Sequence, residues 1–153
     1  MQRARRPCDG SSRRPMCGTM RDMSRRCPCG RRTYESCCGP LLAGARRAET
    51  AEDLMRSRYT AYVEGAVDYL LETTSAATRG TIDRQQLAAY CRGLRGMSLL
   101  IVDTVAGGAA DDTGVVEFEA ALKSEGRRFV QRERSRFVRE DGRWVYVEGV
   151  VQG

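Results

Sequence analysis

From residue 97 the apolar period of this chain changes, and that change limits its fold more than any other feature. MSLLIVDTV, GVVEFEAAL, RRFVQRERSRFVR and RWVYVEGVV read as four strands, bounded by turn-forming residues. The loop AGGAADDTG joins the first two and SEG the next, while EDG closes a hairpin around Arg139 and Arg143. The segment before residue 97 has helical spacing instead. Helices first and an antiparallel meander afterwards predict an α+β fold, with the helices packed on one side of a curved sheet.

The strongest helical signal lies in AETAEDLMRSRYTAYVEG. Thr50 followed by Asp53 has the form that caps a helix start, and Leu54, Met55, Tyr59, Tyr62 and Val63 then recur on one side. Gly65 supplies the stop. A shorter helix carries Val67, Leu70 and Leu71, and Asp83 caps a third that holds Cys91 in its last turn. A lone cysteine so placed is most simply a small buried hydrophobe.

Charge is unevenly spread. Residues 1–26 hold eight arginines against Asp9 and Asp22, a net of 8 − 2 = +6, which equals the formal charge of the whole 153-residue chain. The basic excess therefore belongs to the tail and marks no basic face on the folded part. This Arg-, Gly- and Ser-rich segment has no apolar period and is expected to be disordered. Met23 is an alternative start within it, which would open the chain on MSRRCPCG. There is no histidine, which removes the commonest general base and nitrogen metal ligand. No apolar run approaches the ~18 residues that span a bilayer, and no apolar stretch follows the basic start as in a secretory signal. A cytoplasmic protein without a membrane partner is expected, in a compartment where clustered thiols more often bind metal than pair.

CPCGRRTYESCCG places Cys27, Cys29, Cys37 and Cys38 within twelve positions. Zinc suits four such thiolates because it asks only for soft donors in a tetrahedron. Adjacent cysteines in an extended chain point apart, so both ligate only if the chain between them is tightly wound, and Gly39-Pro40 is expected to end any helix there. The alternatives are free or oxidised thiols and a redox site, although the C-x-x-C spacing is missing. Cys8 and Cys17 are possible substitutes in the tail. Four protein ligands would make the zinc structural.

CPCG…YESCCGP, then LMRSRYTAYVEGAVDYLLETT, then ERSRFVREDGRWVYVEG resembles, in that order, the YchJ family of small bacterial proteins. The first block is similar to the SEC-C motif, found also at the C-terminus of the SecA translocation ATPase, where it binds zinc and contacts partner proteins. The resemblance implies Cys27, Cys29, Cys37 and Cys38 as zinc ligands. It also implies a nuclear-transport-factor-like, cystatin-like cone of helices over a strongly bent antiparallel sheet. The expected organisation is a tail over 1–26, a zinc knuckle over 27–40 and an α+β cone over 41–153. The chain departs from the family in three places. Its return loop GRRTYES is one residue short and lacks Ser-Gly, Thr74 and Ser75 stand where relatives often have Trp-His, and Arg132 stands where they often have His.

Three functions follow. The first is a non-catalytic binding module whose knuckle, flanked by Arg25, Arg26, Arg31 and Arg32, presents a basic surface to an acidic protein partner. By analogy with SecA alone, that partner would belong to protein export or the ribosome. The second is an enzyme or small-ligand binder using the concave face of the sheet. Strand alternation gives Glu117, Glu119 and Glu133 one face with Phe129 and Phe137, and gives Arg132, Arg134 and Arg136 the other. The candidate pocket residues are thus Glu117, Glu119, Glu133, Arg134 and Arg136. The third is RNA binding through the tail and knuckle, where Tyr34 is the only aromatic offered for stacking.

Overall fold

The computed structural model describes residues 25–152; most of the Arg-rich tail, with Cys8 and Cys17, lies outside them. A short 3-10 turn, Tyr34–Ser36, leads into α1 (Cys38–Leu42). The main helix α2 (Ala51–Glu64) follows, then α3 (Val67–Glu72), α4 (Ala76–Arg79) and α5 (Arg84–Arg92). The strands are β1 (Leu94–Ala106), β2 (Thr113–Ser124), β3 (Arg127–Glu140) and β4 (Arg143–Val151), antiparallel in the order β1-β2-β3-β4. The expected α+β class and meander are both present.

The helix ends form by the expected local chemistry. Thr50 Oγ1 accepts from the Asp53 amide at 3.0 Å, and Asp53 places a negative charge in the first turn of α2. Gly65 closes that helix in the left-handed conformation, with φ 76°. Asp83 caps α5 by accepting from the amides of Gln85 and Gln86. Cys91 is buried, as its position in the last turn of α5 implied.

One expectation about a helix fails. Gly39-Pro40 does not end a helix but lies inside the first turn of α1. The first amides of a helix have no intrahelical partner in any case, so the missing N–H of Pro40 costs nothing there. The four-residue α4 has no apolar period to betray it.

Helix α2 lies along the inner face of the sheet. Its Leu54, Met55 and Tyr59 pack with Val116, Phe118, Ala120 and Leu122 of β2 and with Phe137 and Trp144 beyond. Register shifts in β1 at Gly96/Ser98 and Ile101/Asp103, and again where β3 meets β4 beside Phe137, bend the strands around the helix. Thr73, Thr74 and Ser75 bond to Tyr146 and cover the free edge of β4 at that residue, whereas β1 is an open edge with Leu100, Val102 and Val105 exposed. Among the described residues no helix is long and apolar enough to cross a membrane.

Candidate metal centre

Residues 26–33 form a tight loop. Cys27 N–H donates to Arg32 O at 2.8 Å, Gly30 N–H donates to Cys27 O at 2.8 Å, and Tyr34 N–H donates back to Arg25 O at 2.9 Å. The 3-10 turn then delivers Cys37, whose backbone (φ −129°, ψ −105°) kinks between that turn and α1. The kink resolves the problem posed by neighbouring cysteines. Cys37 ends one wound segment, Cys38 begins the next, and both sulfurs turn inward.

The four Sγ atoms lie within 4.8 Å of one another, with Cys29–Cys37 at 3.4 Å and Cys37–Cys38 at 3.9 Å. All four residues are at most 2% exposed, and none is in a disulfide. The return loop, although one residue short, therefore assembles a set that could hold a metal ion. Cys91 is free and buried elsewhere.

Cys27, Cys29 and Cys38 shift one another's acidity in opposite directions. The Cys27 thiol is drawn well below its usual value by hydrogen bonds, first from Cys29 and then from Cys38. Its partners carry the opposite burden. Cys29 is pushed up to about 11 by that same bond with Cys27, and Cys38 is pushed up by Cys27 and then Cys29. A metal bound by all four sulfurs would displace the protons that Cys29 and Cys38 hold, so its binding would release protons. Nearby arginines temper the remaining negative charge. Arg31 Nη2 lies 3.9 Å from the Cys37 sulfur, Arg56 Nη1 donates to Cys29 O at 3.2 Å, and Arg46 Nη2 donates to Cys37 O at 3.3 Å.

The middle, NTF2-like domain of YchJ matches residues 50–149. A UPF0225 protein of Geobacter sulfurreducens is 38% identical over 83% of this chain and 80% of its own length. Another, of Streptomyces coelicolor, is 46% identical over 80% and 93%. The chain belongs to the YchJ family. The solution structure of a SEC-C motif containing protein from Rhodopseudomonas palustris is similar to this YchJ-family chain at 37% identity. Its TM-score is 0.75, covering 83% of this chain and 98% of that one. The crystal structure of a SEC-C motif containing protein from Psychrobacter arcticus shares the fold at 23% identity, with a TM-score of 0.67 over 97% and 80% of the two chains.

The four knuckle arginines divide into two pairs. Arg25 pairs with Glu64 at 3.2 Å and lies 4.0 Å over the Tyr34 ring, and Arg31 pairs with Asp53 at 3.0 Å. Both tie the knuckle to α2. Arg26 and Arg32 are exposed, and each reaches a carbonyl of its own loop.

The expected grouping of pocket residues is corrected by the sheet register. Glu117 stands opposite Arg134 and Glu119 opposite Arg132, while Glu133 stands opposite Phe118 on the inner face. SEG is in fact a two-residue turn of Glu125 and Gly126, both at positive φ (53° and 79°). A three-residue turn would set odd positions against odd, and a two-residue turn sets odd against even. One residue of turn length therefore moves Glu117 and Glu119 to the arginine face. There Arg132 bridges Glu117 at 2.8 Å and Glu119 at 3.3 Å, and Arg134 bridges Glu117 at 3.1 Å. Arg136 pairs with Glu148 at 3.1 Å. Of the five candidates, Glu133 alone lines the inner cavity.

Sequence reasoning missed the cavity's other charged group, Arg58, which is 6% exposed. A signal existed. Arg58 falls four residues after Leu54 and four before Tyr62, on the stripe that faces the core.

Proposed function

We propose that this YchJ-family protein is a non-catalytic zinc-binding module, in which the metal fixes the knuckle against the α+β cone and the protein acts through contacts with another protein. The observation that carries the reading is the closed set of four buried sulfurs. Zn–S bonds of about 2.3 Å in a tetrahedron place the sulfurs ~3.8 Å apart. Two of the six sulfur pairs, at 3.4 and 3.9 Å, bracket that value, and all six lie within 4.8 Å. Four protein ligands leave no coordination position for a substrate, so the metal's role is structural. The unpaired thiols suit a reducing cytoplasm. Arg26 and Arg32, with the exposed Leu100, Val102 and Val105 along β1, offer the surfaces for a protein partner.

Elemental analysis with native mass spectrometry tests the metal. One zinc per chain is expected in the full-length protein, and none in Cys38→Ser. A metal-free protein whose four thiols react freely would overturn the reading. The partner role is tested by in-cell cross-linking of wild type and of Arg26→Glu/Arg32→Glu. Loss of a discrete cross-linked protein in the variant is expected, and an unchanged pattern would count against this surface.

A further inference from the structure

Between α2 and the inner face of the sheet lies a cavity of about 150 Å³. That is the size of an engineered protein cavity known to hold benzene, about 150 Å³. Its walls are largely apolar and aromatic, from Met55, Leu94, Phe118 and Leu122, with Tyr62 and Tyr90 stacked edge to face at 6.1 Å. Arg58 enters this wall from α2. Among the described residues no carboxylate forms an ion pair with it. Its hydrogen bonds to Leu70 O (3.0 Å), Thr73 Oγ1 (2.7 Å) and Thr74 Oγ1 (3.3 Å) leave from Nη1, the Tyr62 hydroxyl is a further neutral partner, and its Cζ lies 4.7 Å from the centre of the Tyr146 ring. A guanidinium taken out of water with neutral partners alone is costly and calls for an anion.

We propose that the cavity is a binding site for a small carboxylate with a flat apolar body, its carboxylate held by Arg58 and its body by the tyrosine-lined wall. The planar fork of arginine matches a carboxylate in two parallel hydrogen bonds. A dianion such as phosphate fits less well. The cavity has one cation, and Glu133, fixed by Ser135 at 2.7 Å and Gln131 at 2.8 Å, adds a negative charge to the same wall. The site is independent of the zinc reading, because none of its lining residues belongs to the cysteine cluster.

Calorimetry and thermal melts of the full chain with benzoate, benzamide and inorganic phosphate test this. Benzoate is expected to bind and to raise the melting temperature, about tenfold or more tighter than its neutral isostere benzamide. Arg58→Gln should erase that preference. Ala120→Leu, which fills the cavity from β2, should abolish benzoate binding with Arg58 in place. Should either variant fail to fold, the three ligands on wild type decide alone. No benzoate binding at about 10 mM, benzamide as tight as benzoate, or phosphate as tight as benzoate would each overturn the proposal.

Discussion

The Sγ of Cys27 lies 3.7 Å from Oγ1 of Thr60, a fully buried hydroxyl in the second half of α2. The cysteine cluster is thus no appendage on a linker. Its four side chains belong to the same buried cluster as Leu54, Met55, Phe137 and Trp144. Arg25–Glu64, Arg31–Asp53 and the Arg56 bond to Cys29 O fasten the loop to α2 from the outside.

Because the two parts share one core, losing the metal site should weaken the whole unit. Cys38→Ser, or chelation, is expected to destabilise the protein by at least about 3 kcal/mol. Trp144 is the chain's only tryptophan and sits buried on β4, outside the knuckle, so its fluorescence reports on the sheet. Fluorescence and far-ultraviolet circular dichroism should melt together at a lowered temperature. A knuckle that unfolds alone, leaving the Trp144 transition in place, would contradict the shared core.

Asp53 links two tasks, facing the N-terminal end of α2 and holding Arg31 at 3.0 Å beside the Cys37 sulfur. Its partner is partly exposed and leaves Nε buried without a hydrogen bond, so the pair is only modestly stabilising. Asp53→Asn should cost about 0.5–1 kcal/mol in urea unfolding. It should also speed the reaction of the knuckle thiols with a disulfide reagent, since Arg31 is then no longer held in place. An unchanged rate would show that Arg31 does not order the cluster.

The outer face of the sheet predicts a pH response. Glu117 is held below its ordinary value of 4.5 by hydrogen bonds from Arg132, with desolvation opposing and Arg134 adding. A carboxyl whose folded value is depressed contributes stability that is complete above its unfolded value and fades as pH falls through the folded one. The urea midpoint should therefore decline below about pH 4.5, and Glu117→Gln should flatten that decline while lowering stability at neutral pH. Added salt should shrink the difference, because the arginines are close to half-exposed. An acid limb identical in the variant would remove Glu117 as its source.

Much of this architecture is legible in the sequence. The caps at Thr50 and Asp83, the stop at Gly65 and the four strands each rest on neighbours a few positions apart, where side-chain and backbone chemistry decide the outcome. The four cysteines were equally plain, because thiols so close in sequence have few places to go. What escaped depends on through-space arithmetic. The turn at Glu125-Gly126 is one residue shorter than SEG suggests, and that single step reverses the face of every residue on β2 relative to β3. Gly39-Pro40 reads as a helix breaker unless one knows that α1 begins at Cys38. Arg58 was hidden by its type: a charged residue on an apolar stripe is passed over until the cavity beside it is seen.

Glu133 and Gly149 show how tightly that cavity wall is built. A methyl group at Gly149 would collide with Glu133 Oε1 and stand 2.5 Å from its carboxyl carbon. The carboxylate cannot swing aside freely, since Ser135, Gln131 and Tyr146 all donate to it. Gly149→Ala should therefore cost roughly 1–3 kcal/mol by overpacking. Glu133→Ala should cost less, because Ser135 and Gln131 lose an acceptor but no clash is created. In the double variant the two losses should not add, since the new methyl then enters space that Glu133 has left. A double-mutant cycle by urea unfolding measures the coupling. Additive losses would mean that Gly149 is needed for the bend of β4 itself and not for the room it leaves Glu133.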